Sequence, residues 1–100
     1  MRMLLKAVID TETGTEVFRS GKVAETLNQI TALLKPEALY GFGEDGQRAF
    51  LVVFDLADPS QIPVVCEPLF AQAKAKITLT PCMNLEDLQK GVAQALEALR

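Results

Sequence analysis

The chain has 100 residues, apolar residues make up 49% of it and charged residues 23%, and the formal net charge is −3. That length holds one domain with one core, and the composition is globular, not disordered or collagenous. The ten basic residues are scattered, so no electropositive stripe is available for a phosphate backbone, and histidine is absent, which excludes Ser-His-Asp and Cys-His nucleophile systems, His-ligated haem and His-containing zinc sites.

Met1 to Ile9 carries two basic residues and a short apolar stretch but runs into Asp10 and Glu12 with no small-residue cleavage site, so it does not read as a signal peptide. No apolar run approaches the roughly 20 residues needed to span a bilayer. The expectation is a soluble, cytoplasmic protein with no membrane and no nucleic-acid partner. In that setting Cys66 and Cys82 read as reduced, small hydrophobes, not as a disulfide.

Met3 to Ile9 reads as a first strand, with Met3, Leu5, Ala7 and Ile9 on one side and Leu4, Lys6, Val8 and Asp10 on the other. Thr11 to Thr15 is polar and reads as a connection. A helical pattern begins near Thr15 with a possible break at Gly21, and Val23, Leu27, Ile30, Leu33 and Leu34 keep a 3.6-residue period until Pro36. Ala38 to Phe42 and Arg48 to Leu56 read as a hairpin around Glu44-Asp45-Gly46-Gln47, where Asp-Gly is the turn signal.

Asp58-Pro59-Ser60-Gln61 has the form of a helix start, with an N-cap, a proline at the first helical position and a glutamine at the third. The helix it opens runs to about Ala73, and Pro63 and Pro68 predict a distorted first turn and a kink. Lys74 to Thr80 alternates as a strand buried on one side, and Pro81 closes it. Asn84 and Asp87 then cap a last helix with the apolar stripe Leu85, Leu88, Val92, Leu96 and Leu99.

The order β-α-β-β-α-β with a terminal helix predicts one α+β domain over residues 1–100, with the ferredoxin-like split βαβ arrangement: a four-stranded antiparallel sheet with both long helices on one face. Phe50, Val52, Phe54 and Leu56 would meet the helices. Leu4, Val8, Tyr40, Phe42, Leu51 and Val53 would then lie on the other face, too much apolar surface to leave in water. A second copy of the sheet is the simplest cover and predicts a homodimer. The rival cover is the chain's own C-terminal helix folded back.

Phe54-Asp55-Leu56, Ile62, Pro68-Leu69-Phe70, Ile77 and Thr80-Pro81 resemble the strand-helix-strand pattern of muconolactone isomerase-like proteins of the dimeric α+β barrel superfamily, over about half the chain. Leu34-Lys35-Pro36-Glu37-Ala38, Asp58-Pro59-Ser60 and Pro81-Cys82-Met83-Asn84 are similar to a group of small bacterial proteins of that superfamily with no assigned reaction. The resemblance implies a homodimer with a ligand-sized cleft beside the sheet. Members range from isomerases and cofactor-free monooxygenases to proteins without a reaction, and the lack of His and Trp sets this chain apart from several enzymatic members.

The polar groups assigned to the dimer-facing side are Lys6, Asp10, Tyr40 and Asp55, with Arg48 near the hairpin. Two readings follow, neither requiring a cofactor or a metal. In the leading one the homodimer binds a small, mostly apolar molecule or a protein partner without catalysis, with Tyr40, Phe42, Arg48 and Asp10 as ligand contacts. In the other, Lys6 and Asp55 carry protons in a cofactor-independent isomerase or monooxygenase, with Tyr40 as a platform. Each residue also has a plainer role: Lys6 as an ion-pair partner, Asp10 and Asp55 as solvated strand ends, and the aromatics as packing. Gly41, Gly43 and Gly46 lack the spacing of a phosphate loop, and the carboxylates are too dispersed for a calcium loop.

Overall fold

The computed structural model describes residues 1–100. Strand β1 (Arg2–Val8) leads into helix α1 (Thr11–Arg19) and helix α2 (Val23–Leu34); the hairpin β2 (Ala38–Glu44) and β3 (Gln47–Asp55) follows. A 3-10 turn (Pro59–Gln61) opens helix α3 (Ile62–Ala73), and strand β4 (Lys76–Pro81) and helix α4 (Leu85–Ala98) complete the chain. The four strands form one antiparallel sheet in the order β2-β3-β1-β4, the order of a ferredoxin-like arrangement. No helix is long and apolar enough to cross a membrane.

Local chemistry explains the element boundaries. Helix α1 starts at Thr11, four residues earlier than the apolar period indicates, because the Asp10 carboxylate accepts from the Thr13 backbone N–H at 3.1 Å and from its hydroxyl at 2.9 Å. Its first turn, Thr11 to Gly14, offers no apolar stripe, so periodicity misses it. The break falls at Ser20 to Lys22, where Gly21 adopts φ +75°. At the hairpin Asp45 and Gly46 both take positive φ, 50° and 77°, as a type I′ turn requires.

The Asp58 carboxylate caps the 3-10 turn by accepting from the Ser60 backbone N–H at 2.9 Å. The α-helix begins only at Ile62, so the distorted first turn is a separate helical type; Pro68 lies inside the helix. Asn84 and Asp87 form a complete capping box at the start of α4.

The register places Met3, Leu5 and Ala7 opposite Phe54, Val52 and Phe50, all on the side that α1 and α3 cover. Leu5 and Val52 are wholly shut off from water, and Leu34, Leu56, Val65, Leu69 and Ala75 close the core around them. Both cysteines are free: Cys66 is buried, and burial pushes its thiol up, while Cys82 is half-buried. Because Leu5 has no room to be replaced by water, Leu5→Ala is expected to lose about 2–5 kcal/mol of unfolding free energy in a denaturant titration.

Candidate functional site

Two apolar features lie on opposite sides of the sheet. The first is a partly open cavity of about 660 Å³ between the helices and the sheet, framed by α1, α2, α3 and the strands β2 and β3. It exists because α2 stands off the sheet: only Leu34, at its C-terminal end, is buried, while Leu27 and Leu33 stay exposed. Ile30, Leu39, Phe50 and Leu69 form much of its apolar wall, and Thr26, Gln29, Gln72 and Arg48 supply its polar groups.

Arg48 is the charged group of this cavity. It sits opposite Gly43 near the hairpin, shares strand parity with Phe50 and Val52 and therefore points to the helix side, away from Lys6 and Tyr40. Its Nη1 donates to the Thr11 carbonyl at 3.4 Å and to the Thr15 hydroxyl at 3.3 Å, both long, and it has no carboxylate partner. Buried Gly14 lets it lie there, since a Cβ at that position would sit 3.1 Å from Arg48 Nη1 and 3.2 Å from Ile9 Cγ2.

The second feature is the sheet face that no helix covers. Leu4 and Val53 are cross-strand partners on it, as are Leu51 and Tyr40, and Lys6 faces Leu51 from the other side. Val8 and Ala49 lie on the same side but are buried, so the apolar surface left open to water is that of Tyr40, 67% accessible, and Phe42, with Leu4, Leu51 and Val53 half-buried. Two ion pairs rooted on β1 cross β3 around this patch. Lys6 Nζ donates to Glu44 Oε1 at 2.8 Å, spanning the position of Ala49, and Arg2 Nε donates to Glu37 Oε1 at 2.8 Å. The Glu37 hydrogen bond holds the Arg2 guanidinium above its ordinary value. Arg2 Nη1 also reaches Asp87 Oδ2 on α4 at 2.9 Å.

The residues singled out in the sequence therefore divide among three places. Lys6, Tyr40, Phe42 and Asp55 lie on the uncovered face; Arg48 lines the cavity; Asp10 leaves the sheet altogether to cap α1. Asp55 is exposed and bound to the Met1 amino group at 2.8 Å. It stands four register positions from Lys6, roughly 13 Å along the strand, so the two do not converge on one point. The cavity walls contributed by α2 were missed, because a separation between helix and sheet leaves no mark on periodicity. Arg48 lies near the hairpin, and its strand parity with Phe50 and Val52 puts it on the helix side.

No family model, no curated protein and no solved structure matches this chain.

The backbone N–H of Thr13 and that of Ser60 hold the carboxyls of Asp10 and Asp58 below the ordinary carboxylate range. A depressed folded value means the native state binds fewer protons, so this stabilisation is complete above about pH 4 and fades as pH falls through the lowered folded values. Replacing both by asparagine, which still caps, should flatten the loss of stability below about pH 4 relative to the parent chain in denaturant titrations.

Proposed function

We propose that this protein is a homodimer that binds a small, mostly apolar molecule without catalysing a reaction on it. The observation that carries the reading is the 660 Å³ cavity beneath α2. Ligand sites of single-chain proteins span roughly 300–1,000 Å³, mostly apolar with a few polar groups that fix orientation, and Thr26, Gln29, Gln72 and Arg48 are such groups here. Helix α2 has few anchors to the core, which gives a ligand a route in and an apolar surface to gain on binding. The resemblance to dimeric barrel proteins, with a cleft beside the sheet, points the same way.

A proton-transfer enzyme draws less support. Its base and acid would be Lys6 and Asp55, and neither lines this cavity; Lys6 is neutralised by Glu44 and Asp55 by the amino terminus. The dimer reading rests on the uncovered face, where Tyr40 and Phe42 are exposed and Leu4, Leu51 and Val53 only half-buried, so that covering them removes further apolar surface from water.

The test is titration with a neutral apolar fluorophore such as 1-aminoanthracene, together with native mass spectrometry of gently purified protein for a retained small molecule. Leu27→Glu, a cavity-wall change at an exposed position, should weaken dye binding by roughly tenfold. Leu51→Glu, on the opposite side of the sheet, should leave it unchanged. The reverse pattern would assign the dye to the uncovered face and overturn the cavity reading.

A further inference from the structure

Helix α4 is an arm. None of its residues is buried, and Leu85, Leu88, Val92, Leu96 and Leu99 all stand in water, with Val92 58% and Leu96 62% accessible. Its one ion pair or side-chain hydrogen bond to the rest of the chain is Arg2 to Asp87 in its first turn. The chain extends 58 Å along its longest axis, and its radius of gyration is 16.2 Å against about 13 Å for a compact chain of this length. A capping box makes the helix well formed, so its stripe is presented in a fixed order and not lost to fraying.

The geometry points to exchange of this arm: we propose that the stripe Leu88, Val92 and Leu96 of α4 docks on the uncovered sheet face of a second copy, whose own α4 docks in return. This rests on the homodimer reading and names the element that forms its interface: the partner's α4, in place of the partner's sheet, covers the face. Three observations select a second copy over an unrelated partner. The arm is rooted on the correct side, because Arg2, which holds Asp87, lies on the same face of β1 as Leu4 and Lys6. The sizes match: a helix of 14 residues is about 21 Å long and a strand of seven about 23 Å. The stripe of α4 and the apolar patch of the uncovered face also stay apart within the chain, so a two-fold exchange covers both on both copies.

The test uses the full-length chain in two single-cysteine forms, with Cys66→Ala and Cys82→Ser in each. One form carries Leu51→Cys on the uncovered face and an affinity tag; the other carries Val92→Cys on the arm. After mixing, a short bismaleimide should yield a mixed cross-linked species, because the arm of one copy lies on the sheet of the other. In parallel, light scattering should give a dimer for the parent chain and a dissociation constant raised by roughly 100-fold or more for Leu88→Glu/Val92→Glu/Leu96→Glu. These three positions are exposed in the single chain, and an unchanged thermal midpoint of the monomer at high dilution verifies that the fold survives. A parent chain that is monomeric at tens of micromolar would defeat the homodimer reading itself. A stable dimer that yields no mixed species and tolerates the triple change would defeat arm exchange alone.

Discussion

The pairing of Leu5 with Val52 on the two central strands is the contact on which the other placements depend. These two side chains are fully removed from water and directly opposite each other, and they fix the register of β1 against β3. Side chains alternate with period two, so a slip of β1 by one residue against β3 would carry Leu4 and Lys6 into the core and turn Leu5 out. The identity of the uncovered face, the reach of Lys6 to Glu44 and the side on which Arg48 points all follow from that one register. The cost of error is high because a buried lysine needs a partner at short range, and Glu44 lies on the face that Lys6 already occupies.

The sheet was readable because period two is written directly into the strands. Met3, Leu5 and Ala7 against Leu4, Lys6 and Val8 state both faces of β1, and Phe50, Val52 and Phe54 state the covered face of β3. Caps were equally legible: Asn84 with Asp87 predicts the box at α4, and Asp45-Gly46 predicts the tight turn. Asp10 was a harder case. Its carboxylate ends a strand and begins a helix in the same stroke, and with Thr11 to Gly14 lacking an apolar residue, a period-based reading sees only a polar connection. The distance between α2 and the sheet was not legible at all, since Val23, Leu27 and Ile30 have the same spacing whether a helix lies flat on a sheet or stands away from it.

Lys6 and Arg2 illustrate how a cation on a strand can organise an apolar surface. Each sends its aliphatic stem across β3 and places its charge beside a carboxylate supplied by β2 or the residue before it. Ala49 provides the low point that Lys6 spans, which accounts for its burial on a face that otherwise lies open. The pairs are half-exposed, so their net contribution to stability is small, but they leave Leu4, Leu51, Val53 and Tyr40 as one continuous apolar field without an unpaired charge inside it. That is a surface able to accept a hydrophobic cover without stranding an ion.

The cavity and the uncovered face share the strands β2 and β3 but draw on alternate residues of them: Leu39 and Phe50 serve the first, Tyr40 and Leu51 the second. Adjacent residues on one strand thus belong to different environments separated by the thickness of a single sheet. Filling the cavity draws on α2, whose one buried residue is Leu34 at its C-terminal end, whereas covering the other face leaves α2 untouched. The two events can therefore proceed together, and any coupling between them must pass through the backbone of β3. The ladders flanking β3 on both sides, to β1 and to β2, hold that backbone in place, so a ligand beneath α2 is sensed mainly by α2 itself and only faintly across the sheet.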